Sequence, residues 1–380
     1  MPSHKKPRRP GEPVRVMHVI NSLGPGGAER MLVGLVCDED EREIEYLVVS
    51  LKSDLFHLPT LEKAGIKVEL LNADSPWRAL KSVWKLASII RRFQPAVLKS
   101  WMYHANIFSL FALWLSGWRK QCALIWGIRC SNMRLSDYHW QLRVVILLSR
   151  LLDAFPDLLI ANSIKGRKDH IAFGFRRSGF GVIPNGVDTD MFQRSRAGRA
   201  RLRQELGIDE NAFVIGVVAR NDPMKNYPLL LDVMGRLQGV RCVAVGRGTE
   251  QLPATEGVMA LGQRSDVPDL LRSFDAVVSC SSFGEGMSNS IAEAMSCGIP
   301  VIATDVGDSR HLVGDTGIVI QPEDGAALQA AIERLRDDPD LRETMGAHAR
   351  LRMENEFSLR NCRKLFRRLF LSQTYESEPG

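Results

Sequence analysis

Short apolar runs alternate with amphipathic stretches along most of the chain. Residues 14–20 are a β-branched run that predicts a strand, followed by a turn over 21–27 and a helix over 28–37. The same alternation predicts strands at 45–51, 66–71, 96–100, 122–127 and 157–162, and helices at 56–65, 77–93 and 138–153. Pro95 stops the third of these helix-period patterns. Strands spaced by helices imply right-handed βαβ units and a parallel sheet. The pattern breaks after residues 182–188, which read as a strand running into turn residues. Residues 193–204, dense in Arg and poor in apolar side chains, read as the boundary region. A second series of strands follows at 212–219, 240–245, 276–280, 301–304 and 318–320. The chain therefore reads as an α/β protein of two Rossmann-like halves, with expected segments 14–188, 189–350 and a C-terminal 351–380. Apolar and basic positions over 357–371 make the last segment an amphipathic basic helix, either packed with a solvated face or lying on a membrane surface.

Composition narrows the class. With 380 residues, 45% hydrophobic and 25% charged, two cores can be buried and wholesale disorder is excluded. The net charge is +6, and residues 1–13 hold four bases against one acid, which predicts a disordered basic tail over 1–13. No apolar segment behind it suits a secretory signal. The seven Cys are scattered without a C-x-x-C pair and read as reduced thiols of a cytosolic protein, with neither a disulfide framework nor a zinc site. Residues 101–118 carry no Asp, Glu, Lys or Arg, nearly the length of a membrane span. His104, Asn106, Ser109 and Ser116 interrupt them, so a helix packed on the sheet is expected.

In open parallel sheets, ligands bind beyond the carboxyl ends of the strands. Three segments stand there. Gly24–Glu29 is glycine-rich before a helix, either a tight turn or a phosphate site. Arg220 and Lys225 bracket a second such junction, where two cations suit a diphosphate or are plain surface charges. Most informative is the stretch from Ser281 to Pro300. Glu285 lies on a loop, and Gly286, Met287, Ser288 and Asn289 offer backbone N–H groups at a helix start. Glu293 lies inside that helix among small residues, where a carboxylate needs a partner. Two carboxylates bracketing an anion-binding turn suit a ligand with hydroxyls and phosphates, such as a nucleotide sugar.

At these residues the chain resembles the retaining glycosyltransferases of family 4, which have the GT-B fold, over about residues 14–350. The resemblance rests on the E-x7-E block from Glu285 to Glu293, the 183–188 stretch, the Arg220/Lys225 pair, the Gly26-Gly27 loop and the segment Trp101 to Asn106. It implies two Rossmann-like domains facing across a cleft, with the C-terminal helix returning to the first. It also implies roles. Glu293 would hold ribose hydroxyls and Glu285 those of the transferred sugar. Arg220 and Lys225 would neutralise the diphosphate without a metal or other cofactor. The amides of Gly286, Met287, Ser288 and Asn289 would bind sugar or phosphate, Gly27 would lie near the β-phosphate, and His104 would contact the donor sugar. The activity implied is transfer of a hexose or N-acetylhexosamine, from a UDP-sugar in preference to GDP-mannose, to a glycan or lipid-linked acceptor in polysaccharide or glycolipid biosynthesis. Asn289 and Ser290 replace the apolar pair usual in the family, which leaves the donor open. An isomerase, a phosphorylase or a non-catalytic binder on the same fold is the alternative.

Five of the seven Trp fall within residues 101–140, and six Arg or Lys against two Asp or Glu lie between 101 and 155. These Trp are either core or the face of a peripheral enzyme on the inner side of an anionic membrane. Nucleic acid is not among the expected partners.

Overall fold

The computed structural model describes residues 12–37, 43–131 and 135–373. The expected basic tail lies outside these up to residue 11. The chain forms two compact units, one from the residues up to Pro184 with those from Cys362 on, the other Asn185–Asn361.

In the first unit, β1 (Val14–Ile20), α1 (Gly27–Val36), β2 (Ile44–Ser50), α2 (Leu58–Lys63), β3 (Lys67–Leu70), α3 (Pro76–Phe93), β4 (Val97–Trp101), α4 (Met102–Ser116), β5 (Ala123–Ile128), α5 (Trp140–Leu151), β6 (Leu158–Ala161), α6 (Ile164–Phe173) and β7 (Phe180–Val182) follow in turn. The strands form one parallel sheet ordered β3-β2-β1-β4-β5-β6-β7, with Val16 paired to Tyr46 on one side and to Val97 on the other. Right-handed crossovers put α1 and α2 on one face and α3 to α6 on the other. Central strands covered on both faces explain why β1, β4 and β5 are nearly continuously buried. The uncharged segment is α4, which packs on β4, β5, α3 and α5 and buries seven residues, Asn106 and Ser109 among them. No helix of the described residues is long and apolar enough to cross a membrane.

The second unit contains α7 (Arg196–Glu205), β8 (Phe213–Val218), α8 (Tyr227–Met234), β9 (Val240–Val245), β10 (Val258–Ala260), α9 (Val267–Leu271), β11 (Ala276–Ser279), α10 (Asn289–Ser296), β12 (Val301–Thr304), α11 (Ser309–Val313), β13 (Ile318–Ile320), α12 (Gly325–Asp337) and α13 (Pro339–Glu356). Its parallel sheet runs β10-β9-β8-β11-β12-β13. Finally α14 (Leu359–Ser372) carries the chain back into the first unit. There Cys362, Phe366 and Phe370 are buried, with Phe366 6.5 Å from the Trp101 ring and Phe370 5.7 Å from that of His18. Arg363 donates to the carbonyls of Gly34 on α1 (2.8 Å) and of Cys37, its C-cap (2.9 Å). The basic helix is thus a packing helix.

Three expectations are corrected. The strand expected over 182–188 ends at Val182, since Pro184 has no N–H for a ladder, and only Val187 bridges onward, to Ser358. The Arg-rich 193–204 is no boundary: it is α7, and the units divide at Pro184/Asn185. Arg203, 1% exposed, donates to the carbonyls of Ser273 (3.0 Å), Glu210 (2.6 Å) and Ala212 (2.9 Å) and to Asp275 (2.7 Å). An arginine so satisfied is a core residue, which composition does not reveal. Residues 351–373 are likewise no separate segment, and the rest of the expected 351–380 lies outside the described residues: α13 belongs to the second unit, and the chain changes units within α14.

His18 is fully buried among Tyr46, Trp101 and Phe370, and its Nδ1 accepts from Trp101 Nε1 at 3.1 Å. Desolvation, then Lys99, lowers its pKa to about 3, and desolvation lowers that of His170 to about 4. Both rings are neutral when folded but take up protons when unfolded below about pH 6.5. The unfolded state then binds more protons, so stability is expected to fall as pH drops from 6.5 towards 4. Urea unfolding across that range should show the loss, with a shallower slope in His18→Gln.

Candidate active site

The residues singled out at 220–293 follow the carboxyl ends of β8 and β11. The order β9-β8-β11 makes the gap between β8 and β11 the point where successive connections diverge to opposite sides. Loops leaving both strands open a crevice there without competing for space.

The loop after β8 begins at Ala219, whose carbonyl accepts from the Tyr227 hydroxyl at 2.7 Å. Asp222 accepts from the Met224 amide at 3.1 Å and starts a one-turn 3-10 helix, Pro223–Lys225. Lys225 therefore sits in this tight turn, just before α8, with Asn226 at φ 50° as the hinge into the helix. The Lys225 ammonium is ion-paired with Glu285, and both side chains are largely buried. Glu285 also accepts from the Ser281 hydroxyl at 2.8 Å. The Ser282 amide donates to the Met224 carbonyl at 2.9 Å, so the loops after β8 and β11 are laced together by backbone as well as charge. Arg220 points to Asp222 (3.0 Å) and remains about half exposed.

Beyond Glu285 the chain turns into α10. Ser288 is the N-cap but makes no side-chain cap bond, and the first amides of α10 have no intrahelical acceptors. Gly286, Met287 and Ser288 are buried. Asn185 donates from its side chain to Asn289 Oδ1 at 2.7 Å and from its backbone to the Met287 sulfur at 3.2 Å. Glu293, 4% exposed, lies one turn into α10. From the far side, the Asp308 amide holds the Gly286 carbonyl at 2.9 Å.

Gly27 and His104 belong to the first unit. Gly27 opens α1 at the end of β1 and is exposed; Gly26 before it is the N-cap. A Cβ at Gly26 would meet the Glu29 carboxyl, which packs against it. That carboxyl accepts from Ser22 (3.1 Å), and its desolvation raises its pKa. His104 stands in the first turn of α4, after β4, the strand that pairs with β1. Met102, at the strand–helix junction, adopts φ 72°, a strained value for a non-glycine residue, and this sharp entry sets where the first turn points. His104 reaches solvent, yet the protein around its ring, and then Lys52, hold its imidazole below the ordinary value.

Four residues were missed: Ser281, Asn185, Gly307 and Asp308. Only the Gly307-Asp308 pair carries a signal, being a turn dipeptide just after a buried strand. Gly307 has φ 62°, and a methyl there would run into the carbonyl oxygens of Glu285 and Gly286.

Two parallel α/β units, the second with charged and polar groups at its strand divergence, fit the GT-B architecture. The Anabaena protein HepE, solved in complex with UDP and glucose, superposes with a TM-score of 0.82 at 24% identity, over 94% of this chain and 100% of that one. The model of Glycosyltransferase Family 4 matches residues 25–191, and that of Glycosyl transferases group 1 matches residues 212–338. The chain belongs to this family. The D-inositol 3-phosphate glycosyltransferase of Segniliparus rotundus is 33% identical over 182 residues, 41% of this chain and 40% of that one. The lipopolysaccharide core biosynthesis glycosyltransferase LpsD of Rhizobium meliloti is 27% identical over 356 residues, 91% of this chain and 94% of that one. The first two curated relatives are matched over only 40% and 52% of their length.

Gly307→Ala is expected to destabilise the second unit by about 1–3 kcal/mol and to displace the 285–286 turn. Thermal unfolding measures the first effect and nucleotide binding the second.

Proposed function

We propose that this protein is a retaining, metal-independent glycosyltransferase. It moves a hexose or N-acetylhexosamine from a nucleotide sugar, a UDP-sugar in preference to GDP-mannose, to a glycan or lipid-linked acceptor in polysaccharide or glycolipid biosynthesis. The observation that carries this reading is the Lys225–Glu285 pair beside the open N-terminus of α10. It offers a cation and amides for a diphosphate next to carboxylates for hydroxyls. HepE, which shares the fold, holds UDP and glucose.

The hard step is departure of the nucleoside diphosphate from the anomeric carbon. Negative charge grows on the leaving phosphate, and preorganised donors stabilise it best because they need not reorient. Lys225, Arg220 and the amides at 286–289 do this work. Glu285 accepts from hydroxyls of the sugar and Glu293 from those of the ribose. In the free protein Lys225 rests on Glu285. When donor enters, the ammonium turns to the diphosphate and the carboxylate to the sugar, so neither buried charge is left alone. The acceptor attacks from the face the phosphate leaves, and the phosphate takes its proton, so no protein nucleophile is required. For His104 and Gly27, donor contact is the role that the family resemblance implies.

Lys225→Ala and Glu285→Ala should each lower transfer by roughly 10²–10³-fold while the protein still unfolds cooperatively. Full activity in either variant refutes the assignment. A thermal-shift panel of nucleotide sugars should show stabilisation by UDP-sugars. Stabilisation by GDP-mannose alone would replace the donor, and hydrolysis or isomerisation without transfer would replace the reaction.

A further inference from the structure

The clustered Trp residues divide once the fold is known. Trp101 and Trp126 are core, and Trp118 donates to the Pro95 carbonyl at 3.0 Å. Trp114 and Trp140 are exposed, and so are two outside the cluster, Trp77 (82%) and Trp84 (58%) on α3. All four lie on α3, α4 and α5. These helices cover the same face of the first sheet, α3 packed on α4 and α4 on α5. Among the described residues, 11 of the 18 exposed large hydrophobic side chains belong to these three helices. They form outward stripes at helical spacing: Trp77, Leu80 and Trp84 on α3, and Trp140, Val144 and Leu151 on α5. Trp114 at the end of α4 packs edge-on against Phe155 at 4.9 Å and joins the stripes.

Charge says what covers this face. The three helices carry seven Arg or Lys and no Asp or Glu. Arg78, Lys81 and Lys85 alternate with the Trp and Leu of α3, all of them exposed. A second copy of this chain docked here by a two-fold axis would set these cations against themselves. An anionic lipid surface complements both parts: indole rings favour the headgroup layer, and each nearby cation adds attraction.

We propose that the α3–α4–α5 face of the first unit docks on an anionic membrane. This deepens the reading of a lipid-linked acceptor, because it places the acceptor-bearing surface beside the unit that carries Gly27 and His104.

The test is flotation of the full chain with phosphatidylcholine vesicles, with and without phosphatidylglycerol, at low and high salt. The chain should float with the anionic vesicles, most strongly at low salt, with a blue shift of its Trp emission. Trp77→Ser combined with Trp84→Ser and Trp140→Ser should weaken this by roughly tenfold or more. So should the charge reversal Arg78→Glu with Lys81→Glu. Both variants should bind nucleotide and unfold thermally as the parent does, since these side chains are exposed. The proposal is overturned if the chain ignores anionic vesicles at low salt, or if the variants float undiminished. It is equally overturned if the parent is a dimer in solution that the Trp variant converts to monomer, which would make the face a self-association surface. A chain that floats but transfers no sugar leaves the face standing and removes the proposed function. One that transfers to a soluble acceptor yet ignores vesicles removes the face alone.

Discussion

A buried ammonium and a buried carboxylate hold the second unit's ligand-facing edge together. Desolvating either group alone costs several kcal/mol, and their attraction offsets this only while they stay in contact. Lys225 stands on the loop after β8 and Glu285 on the loop after β11, so the contact fixes two loops that the sheet alone would leave independent. The backbone bond from Ser282 to Met224 and the hydroxyl of Ser281 then have defined partners. The Gly307 turn can close against Glu285 and Gly286 because their carbonyls are already in place. A structural pair replaced by apolar side chains of like volume would often cost nothing. Keeping two charges at a strand divergence, beside the N-terminus of α10, makes sense if a ligand exchanges partners with them.

The α/β order was legible because parallel strands buried on both faces must be continuously apolar. Hence β9 and β12 lie where the runs of Val, Ile and Ala place them. Edges and charged helices were not legible in this way. β10 is three residues long on the outer edge, too short for a period-2 signal. α7 has four arginines against three apolar residues, so its pattern resembled a linker. Only the carbonyls converging on Arg203 make it core.

At the site, the residues legible in advance were those whose chemistry is odd for their place: a carboxylate within a run of small residues, and two cations after a strand. Asn185 and Ser281 were not, because an amide or hydroxyl in a loop is ordinary until its partner is known. The partner of Asn185 is more than a hundred positions away, at Met287 and Asn289. Arg220 shows the converse. The spacing paired it with Lys225, but its own neighbour Asp222 engages it, and only Lys225 is drawn to the buried Glu285.

The same mixture of aromatic and basic residues occurs in α14 and in α3, and their fates differ. The sequence offers α14 as either a packing helix or a membrane-surface helix, whereas α3 reads only as a helix. What separates them is the number of apolar stripes. In α14 the positions Cys362, Phe366 and Phe370 form one stripe, and the first sheet takes it up; Arg363 then fastens the polar side to α1. In α3 the inward stripe is Leu86, Ala87, Ile89 and Ile90, which is enough to join the core. Trp77, Leu80 and Trp84 form a second stripe that no element among the described residues covers. α5 repeats this, with Ile146 inward and Trp140, Val144 and Leu151 outward. A helix with one apolar stripe is fully accounted for by its own fold. A helix with two, set among cations and without a carboxylate, has one stripe that the folded chain alone leaves in water, where it raises the free energy of the free protein. Two neighbouring helices sharing that cost on one face of one sheet form an extended surface that burial against lipid would relieve.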